Sequence, residues 1–274
     1  MFWKRFKKNK LALAGGVLVF LLFAIAILAP VFASYDPDKI DMDNVLVQPN
    51  SHHFLGTDDL GRDVFSRMLF GARVSLAVGF VAIGIATLIG IILGAIAGYY
   101  EGFLDSLIMR FVDIMLSIPT FFLLLTVIAL VGPSLFIVML VIGLTSWMSV
   151  ARLVRAEFLT LKSRDFVIAA RSIGASDLRI IFKHILPNAM SPVYVSFILG
   201  VAGAILMESG LSFLGFGVQP PAPSWGNILT AGREYIEVAW WLILFPGLAI
   251  LVTTLSYYIL GEGIRQALDP KLKT

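Results

Sequence analysis

The sequence predicts an all-α integral membrane protein with six transmembrane helices and both termini in the cytoplasm. Three observations carry that expectation. Of 274 residues, 58% are hydrophobic and only 14% are charged, against about a quarter charged in soluble domains. The apolar residues gather into long runs, each able to cross about 30 Å of hydrocarbon as a helix. Lys and Arg concentrate in alternate connecting segments, which orients the chain.

Residues 1–10 are a basic tail with Lys4, Arg5, Lys7, Lys8 and Lys10. Residues 11–33 are uncharged and form the first span. A cleavable signal has an apolar core of about 7–15 residues, so this longer run reads as a membrane helix, with cleavage as the alternative. Residues 34–73 are an external loop carrying Asp36, Asp38, Asp41, Asp43, Pro37 and Pro49. Within it, Asp59–Arg73 has the pattern of an amphipathic interfacial helix, with Leu60, Val64, Phe65, Met68 and Leu69 on one side. His52 and His53 near Asp58 and Asp59 read as a solvated loop or, alternatively, an external metal site. The solvated loop is the expectation, with no metal bound.

Residues 74–98 are the second span, rich in glycine. Gly84, Ala95 and their neighbours are small enough to let helices approach closely. Residues 107–132 are the third span, with Arg110 and Asp113 near its start and Pro119 inside. Arg110 and Asp113 are one turn apart and can pair, either as part of a gate or as a structural ion pair. After Gly132–Pro133, residues 134–151 are the fourth span. Residues 152–187 are polar, residues 188–207 are the fifth span, and residues 208–237 are a second external loop. Residues 238–260, with Pro246–Gly247 at the middle, are the sixth span, and residues 261–274 are a polar tail. Pro119 and Pro246 are candidate kinks.

Orientation follows from the loops. Arg152, Arg155, Lys162, Arg164, Arg171, Arg179 and Lys183 all lie in 152–187, whereas 208–237 holds only Arg233. The 152–187 loop is therefore cytoplasmic. Glu208 opens the outer loop, where it can line a path or hydrogen-bond the Ser209–Gly210 turn. Gln219, Pro220, Pro221 and Trp225 make that loop rigid and aromatic, either a docking site or an interfacial anchor.

The chain has no cysteine, which excludes disulfides and thiolate metal sites. No basic face interleaved with aromatics points to nucleic acid. No catalytic set can be assigned, which argues against an intramembrane enzyme. An ion-coupled carrier would show internal repeats and several intramembrane charges; the chain shows no repeat and few such charges.

The stretch Asp165–Pro187, DFVIAARSIGASDLRIIFKHILP, stands apart. Phe166, Ala169, Ala170 and Ile173 recur at helical spacing, then Leu178, Ile181, Phe182 and Ile185. Gly174 between them suits a helix end, because glycine takes positive φ cheaply. Ser176 can cap a second helix, and Pro187 marks the start of the next segment. The chain lacks a G-x-x-x-x-G-K-[ST] phosphate loop, so it cannot bind ATP by that route and any energy from ATP would have to arrive through a partner. An apolar helix–Gly–helix can fill a groove on a soluble domain; packing on its own bundle is the alternative.

This stretch resembles the coupling motif of bacterial ABC-importer membrane subunits: E-A-A, three residues, G, nine residues, an apolar residue, any residue, L-P. Ala169 and Ala170 match the alanines, Gly174 the glycine and Leu186–Pro187 the ending. Ile168 replaces the glutamate and His184 the apolar residue. Phe54–Leu76, Ser212–Gly226, Phe245–Ile250 and Ala267–Pro270 look like the peptide and nickel permease branch, and within it the C-type membrane subunit. The resemblance implies a type I ABC-importer permease fold in the bacterial inner membrane. It implies a related B-type permease subunit, two cytoplasmic ATPase subunits that bind ATP and Mg, and an external substrate-binding protein. This chain would bind no cofactor and catalyse nothing itself. Its substrate would be a di- or oligopeptide, or alternatively nickel or a metal chelate. Phe166, Ala169, Ala170, Gly174, Leu178, Phe182, Leu186 and Pro187 would couple to the ATPases.

Overall fold

The structure, a computed structural model describing residues 2–268, is helical, with no strand among the described residues. Its helices are α1 (Phe2–Lys8), α2 (Lys10–Phe32), α3 (Val64–Tyr100), α4 (Gly102–Ser117) and α5 (Thr120–Val131). They continue with α6 (Leu135–Lys162), α7 (Asp165–Ser172), α8 (Asp177–Phe213), α9 (Trp225–Gly232) and α10 (Trp241–Leu268). Five of them, α2, α3, α6, α8 and α10, are each long and apolar enough to cross a membrane.

The sixth crossing follows from topology. Helices α3 and α6 run parallel: Gly90 packs on Val150, Gly94 on Ala151 and Val154, and Gly98 on Arg155 and Phe158. Two parallel neighbours need a connection that returns across the bundle. Helices α4 and α5 supply it, although they are bent by 86° at their junction. Pro119 causes the break. It has no N–H to donate, and it holds Ile118 extended at φ −90°, ψ 124°. The first and last described helices then meet on one face. Phe6, Ala12 and Ala267 share a small core, and the Asn9 amide donates to Gln266 Oε1 at 3.0 Å.

Helix α3 lies at the centre, packed against α2, α6 and α8. Asp63 starts it, its Oδ2 accepting from Ser66 N–H at 2.8 Å. No separate interfacial helix exists over Asp59–Arg73: Asp59–Asp63 is loop, and Val64 onward is continuous with the span. At 37 residues, α3 is about 55 Å long, so its outer turns stand clear of the hydrocarbon. Gly84 faces open space and makes no close contact, unlike Gly90, Gly94 and Gly98. Pro246 lies inside α10 without breaking it.

Residues 34–63 fold over the outer end of α3. Buried Arg67 donates to the Pro37 carbonyl at 2.9 Å and lies 3.5 Å from both Asp58 and Asp38. Arg62 bonds Asp58 at 2.7 Å. Val64, Ala239, Trp241 and Leu242 form a core beneath, and the Trp241 indole donates to the Thr57 carbonyl at 3.0 Å. Of the Ala267–Pro270 stretch, Asp269 and Pro270 lie outside the described residues, as do Lys271 and Lys273 of the tail.

Candidate functional site: the helix–Gly–helix segment and its supports

Helix α7 ends where the sequence places glycine. Gly174 has φ +83°, with its N–H bonded to Arg171 O at 3.0 Å, and Ala175 N–H returns to Ala170 O at 3.1 Å. This is the left-handed helix stop that favours glycine. Ser176 occupies the N-cap of α8, but its side chain makes no capping hydrogen bond. Asp177 in the first turn complements the helix dipole instead.

Pro187 does not begin a new helix. Ile180–Ile185 widens into a π-turn in which Leu186 N–H bonds Ile181 O. The extra residue per turn accommodates the proline, so α8 runs unbroken from Asp177 into the membrane. A force applied at Leu178 or Phe182 therefore acts directly on a membrane helix.

The segment has two faces. Val167, Ala170, Ile180, Ile181 and Ile185 are buried, and Val167 and the three isoleucines pack in one core with Tyr99, Val154 and Phe158. Facing away are Phe166, Ile168, Ala169, Ile173, Gly174, Leu178 and Phe182, with Ile173 86% exposed and Phe182 64% exposed. Pro187 is exposed and Leu186 half-buried. Ala170 thus belongs to the inner face rather than to the outward surface expected from spacing. Ile168, at the glutamate position of the motif, presents an apolar side chain outward.

A hydrogen-bonded tyrosine and three ion pairs brace this end. The Tyr99 hydroxyl donates to Asp177 Oδ1 at 2.5 Å and accepts from Arg171 at 3.3 Å. Lys162 donates to the Tyr99 carbonyl at 2.6 Å and pairs with Glu101 at 2.8 Å. Arg155 bonds Asp105 at 2.6 Å, and Arg152 pairs with Asp113. Asp113 therefore joins α4 to α6 and does not pair with Arg110, which is exposed and makes no ion pair among the described residues. Neighbouring helix α6 offers Asp113 a partner, which a one-helix reading cannot see.

At the outer end, Glu208 is fully buried and Oε1 accepts from Ser212 at 2.7 Å and Ser224 at 2.9 Å. Ser209 of the following turn also lies beside the carboxyl, and its hydroxyl donates to Ile205 O at 2.9 Å. Ser224 also caps α9 reciprocally with Asn227. Trp225 is buried, its backbone N–H on Ser75 Oγ and its indole on Met68 O, both at 3.1 Å. It is a staple, not an exposed contact. Gln219 donates to the Gly215 and Gly217 carbonyls. Pro220 and Pro221 alone of that set are exposed. His53 bonds Asp63 at 2.9 Å and stacks on Tyr35, apart from His52 in role. No group of three His, Asp or Glu side chains able to hold a metal occurs among the described residues.

Sequence reasoning missed Tyr99 and the Arg67 network. Tyr99 sits 78 positions from Asp177, and its only local signal is a polar-tipped aromatic at the end of an apolar run.

Membrane-length helices with a two-faced segment at one end define a multi-pass membrane protein. Residues 90–274 match the binding-protein-dependent transport system inner membrane components, and residues 1–49 match the N-terminal transmembrane domain of oligopeptide transport permease C. The chain belongs to the family of binding-protein-dependent transport system inner membrane components, and is a multi-pass inner-membrane protein. It is 43% identical to a dipeptide transport system permease protein of Alkalihalophilus pseudofirmus, over 99% of this chain and 90% of that one. It is 43% identical to a glutathione transport system permease protein of Pectobacterium atrosepticum, over 100% of this chain and 91% of that one. Its fold is like that of a chain of the inward-facing MetNI methionine ABC transporter, with TM-score 0.60 at 20% identity, covering 75% of this chain and 98% of the other.

Proposed function

We propose that this chain is the permease subunit of an ATP-driven importer of short peptides, and that ATPase subunits dock on the outward face of residues 165–187. One observation supports this above others. Phe166, Ile168, Ile173, Leu178 and Phe182 form an exposed apolar face around Gly174, while Val167, Ile180, Ile181 and Ile185 clamp the same segment to the bundle. Apolar residues clustered on a polar, cytoplasmic-type loop have no lipid to face, and a helix-in-groove partner would cover them. Ala169 and Gly174 keep the face flat enough for close approach. ATP and Mg would be held by the docked partners.

The peptide substrate rests on the relatives' substrates: dipeptides in one, di/tripeptides in another, and glutathione, itself a tripeptide, in a third. A paired B-type permease would complete the pathway, and Pro220 and Pro221 offer an exposed outer surface for the binding protein. Arg110 and the Arg152–Asp113 pair are on the exposed side of α4 and α6, where that second permease would lie.

The test is co-purification. Phe182→Asp places a charge on the outward face without touching the core, and should abolish recovery of the ATPases and ATP-dependent uptake of labelled dipeptides into vesicles. Retained ATPases and retained uptake would remove this segment as the docking site. Uptake that proceeds without ATP would remove the importer reading altogether.

A further inference from the structure

The Tyr99 side chain touches α6, α7 and α8 where they meet at the cytoplasmic segment. Its ring lies under Lys162 Nζ, 5.3 Å from the ring centroid, and Lys162 ends α6. Its hydroxyl accepts from Arg171 in the last turn of α7 and donates to Asp177 in the first turn of α8. Arg171 and Asp177 flank Gly174, the positive-φ residue between the two helices. Tyr99 is itself 3% exposed and packs with Val167, Ile180 and Ile185. The hydroxyl thus bridges opposite charges on the two sides of a glycine hinge, and it is carried by α3.

Helix α3 is continuous from Tyr99 to Val64. At its far end Ser75 holds the Trp225 backbone, Met68 holds the Trp225 indole, and Arg67 is enclosed by the outer cap. One unbroken helix therefore joins the hinge to the outer loops.

We propose that Tyr99 is a positioning residue that locks the Gly174 hinge to α3, so that movement of the docked ATPases is transmitted along α3 to the outer face. This rests on docking at residues 165–187. Without the hydroxyl the segment would still present Phe166 and Phe182 to a partner, but α7 and α8 would pivot about Gly174 with less pull on α3.

The experiment uses the full complex, with both permease subunits, the ATPases and the external binding protein, in lipid nanodiscs. Two quantities are read: the amount of ATPase retained, and the ratio of ATP hydrolysis with the binding protein to hydrolysis without it. Tyr99→Phe removes only the hydroxyl. The expected result is full ATPase retention, basal hydrolysis unchanged, and about a tenfold loss of stimulation by the binding protein, as for a lost hydrogen bond to a charged group. Asp177→Asn keeps an acceptor oxygen and should retain most of the stimulation; Asp177→Leu should lose it as Tyr99→Phe does. Full retention with wild-type stimulation in Tyr99→Phe overturns the proposal. A general loss of fold would lower basal hydrolysis and retention together, and that outcome also counts against a transmission role. If Phe182→Asp leaves retention intact, docking at residues 165–187 is wrong and the transmission role falls with it; if Phe182→Asp loses retention while Tyr99→Phe keeps wild-type stimulation, only the role of Tyr99 is overturned.

Discussion

Replacing Gly94 by alanine tests how the bundle is held together. A Cβ at Gly94 would lie 2.5 Å from the Ala151 carbonyl oxygen and 2.8 Å from Val154 Cβ. Carbon atoms in good contact stand about 3.5–4.0 Å apart, so α3 and α6 would have to separate by about 1 Å. Both obstacles are on the backbone or at a β-branched Cβ, so no rotamer change relieves them. Overpacking of this kind costs about 1–3 kcal/mol. Against that, alanine gains about 1 kcal/mol over glycine in helix propensity. In a membrane the association of helices depends on such close packing, and the clash outweighs the propensity gain. Gly84 supplies the control on the same helix, because a Cβ there meets nothing within 4 Å. Thermal unfolding of the purified protein in detergent should show Gly94→Ala less stable than wild type, and Gly84→Ala equal to wild type or more stable. Equal melting temperatures for the two variants would refute close glycine packing as the basis of the α3–α6 contact.

Three further outcomes follow from the same geometry. Glu208→Gln keeps an oxygen for Ser212 and Ser224 and should leave peptide uptake near wild type, whereas Glu208→Ala strands both hydroxyls and should cost about 1–3 kcal/mol in thermal unfolding; a selective loss of uptake in the Gln variant would restore a pathway role. Arg67→Met leaves Asp58 buried with one guanidinium fewer and should destabilise the outer cap by about 3 kcal/mol, read as faster proteolysis within residues 34–63. Exchanging the exposed pair as Asp113→Arg with Arg152→Asp should change unfolding by less than about 1 kcal/mol; a large loss of stability would mean that this contact is buried by a partner.

How much of the site was legible differs by residue. Gly174 was legible because a positive-φ helix stop is a local requirement, and the chain meets it where the glycine stands. The outward side chains Phe166, Leu178 and Phe182 were legible from helical spacing. Ala170 was not, since spacing gives a face and not the direction that face points; the packing of Val167 in one core with Phe158 and Tyr99 decides that. Trp225 misled for a related reason. An indole at a membrane boundary is consistent with exposure, yet Ser75 and Met68 on another helix satisfy its donors and bury it. Pro187 misled because a proline ordinarily marks a boundary, whereas the π-turn before it lets the helix continue.

The sequence by itself determined that the chain is a multi-pass helical membrane protein, because bilayer thickness and hydropathy act on short stretches. Tertiary structure alone decided which neighbours meet. The parallel pairing of α3 with α6 required α4–α5 to cross. Asp113 took its partner from α6, Glu208 became the anchor of an outer loop, and Tyr99 gathered the ends of three elements. Contacts in this bundle reach as far as Asn9 with Gln266, 257 positions apart, and no local pattern of apolar and charged residues encodes a distance of that kind.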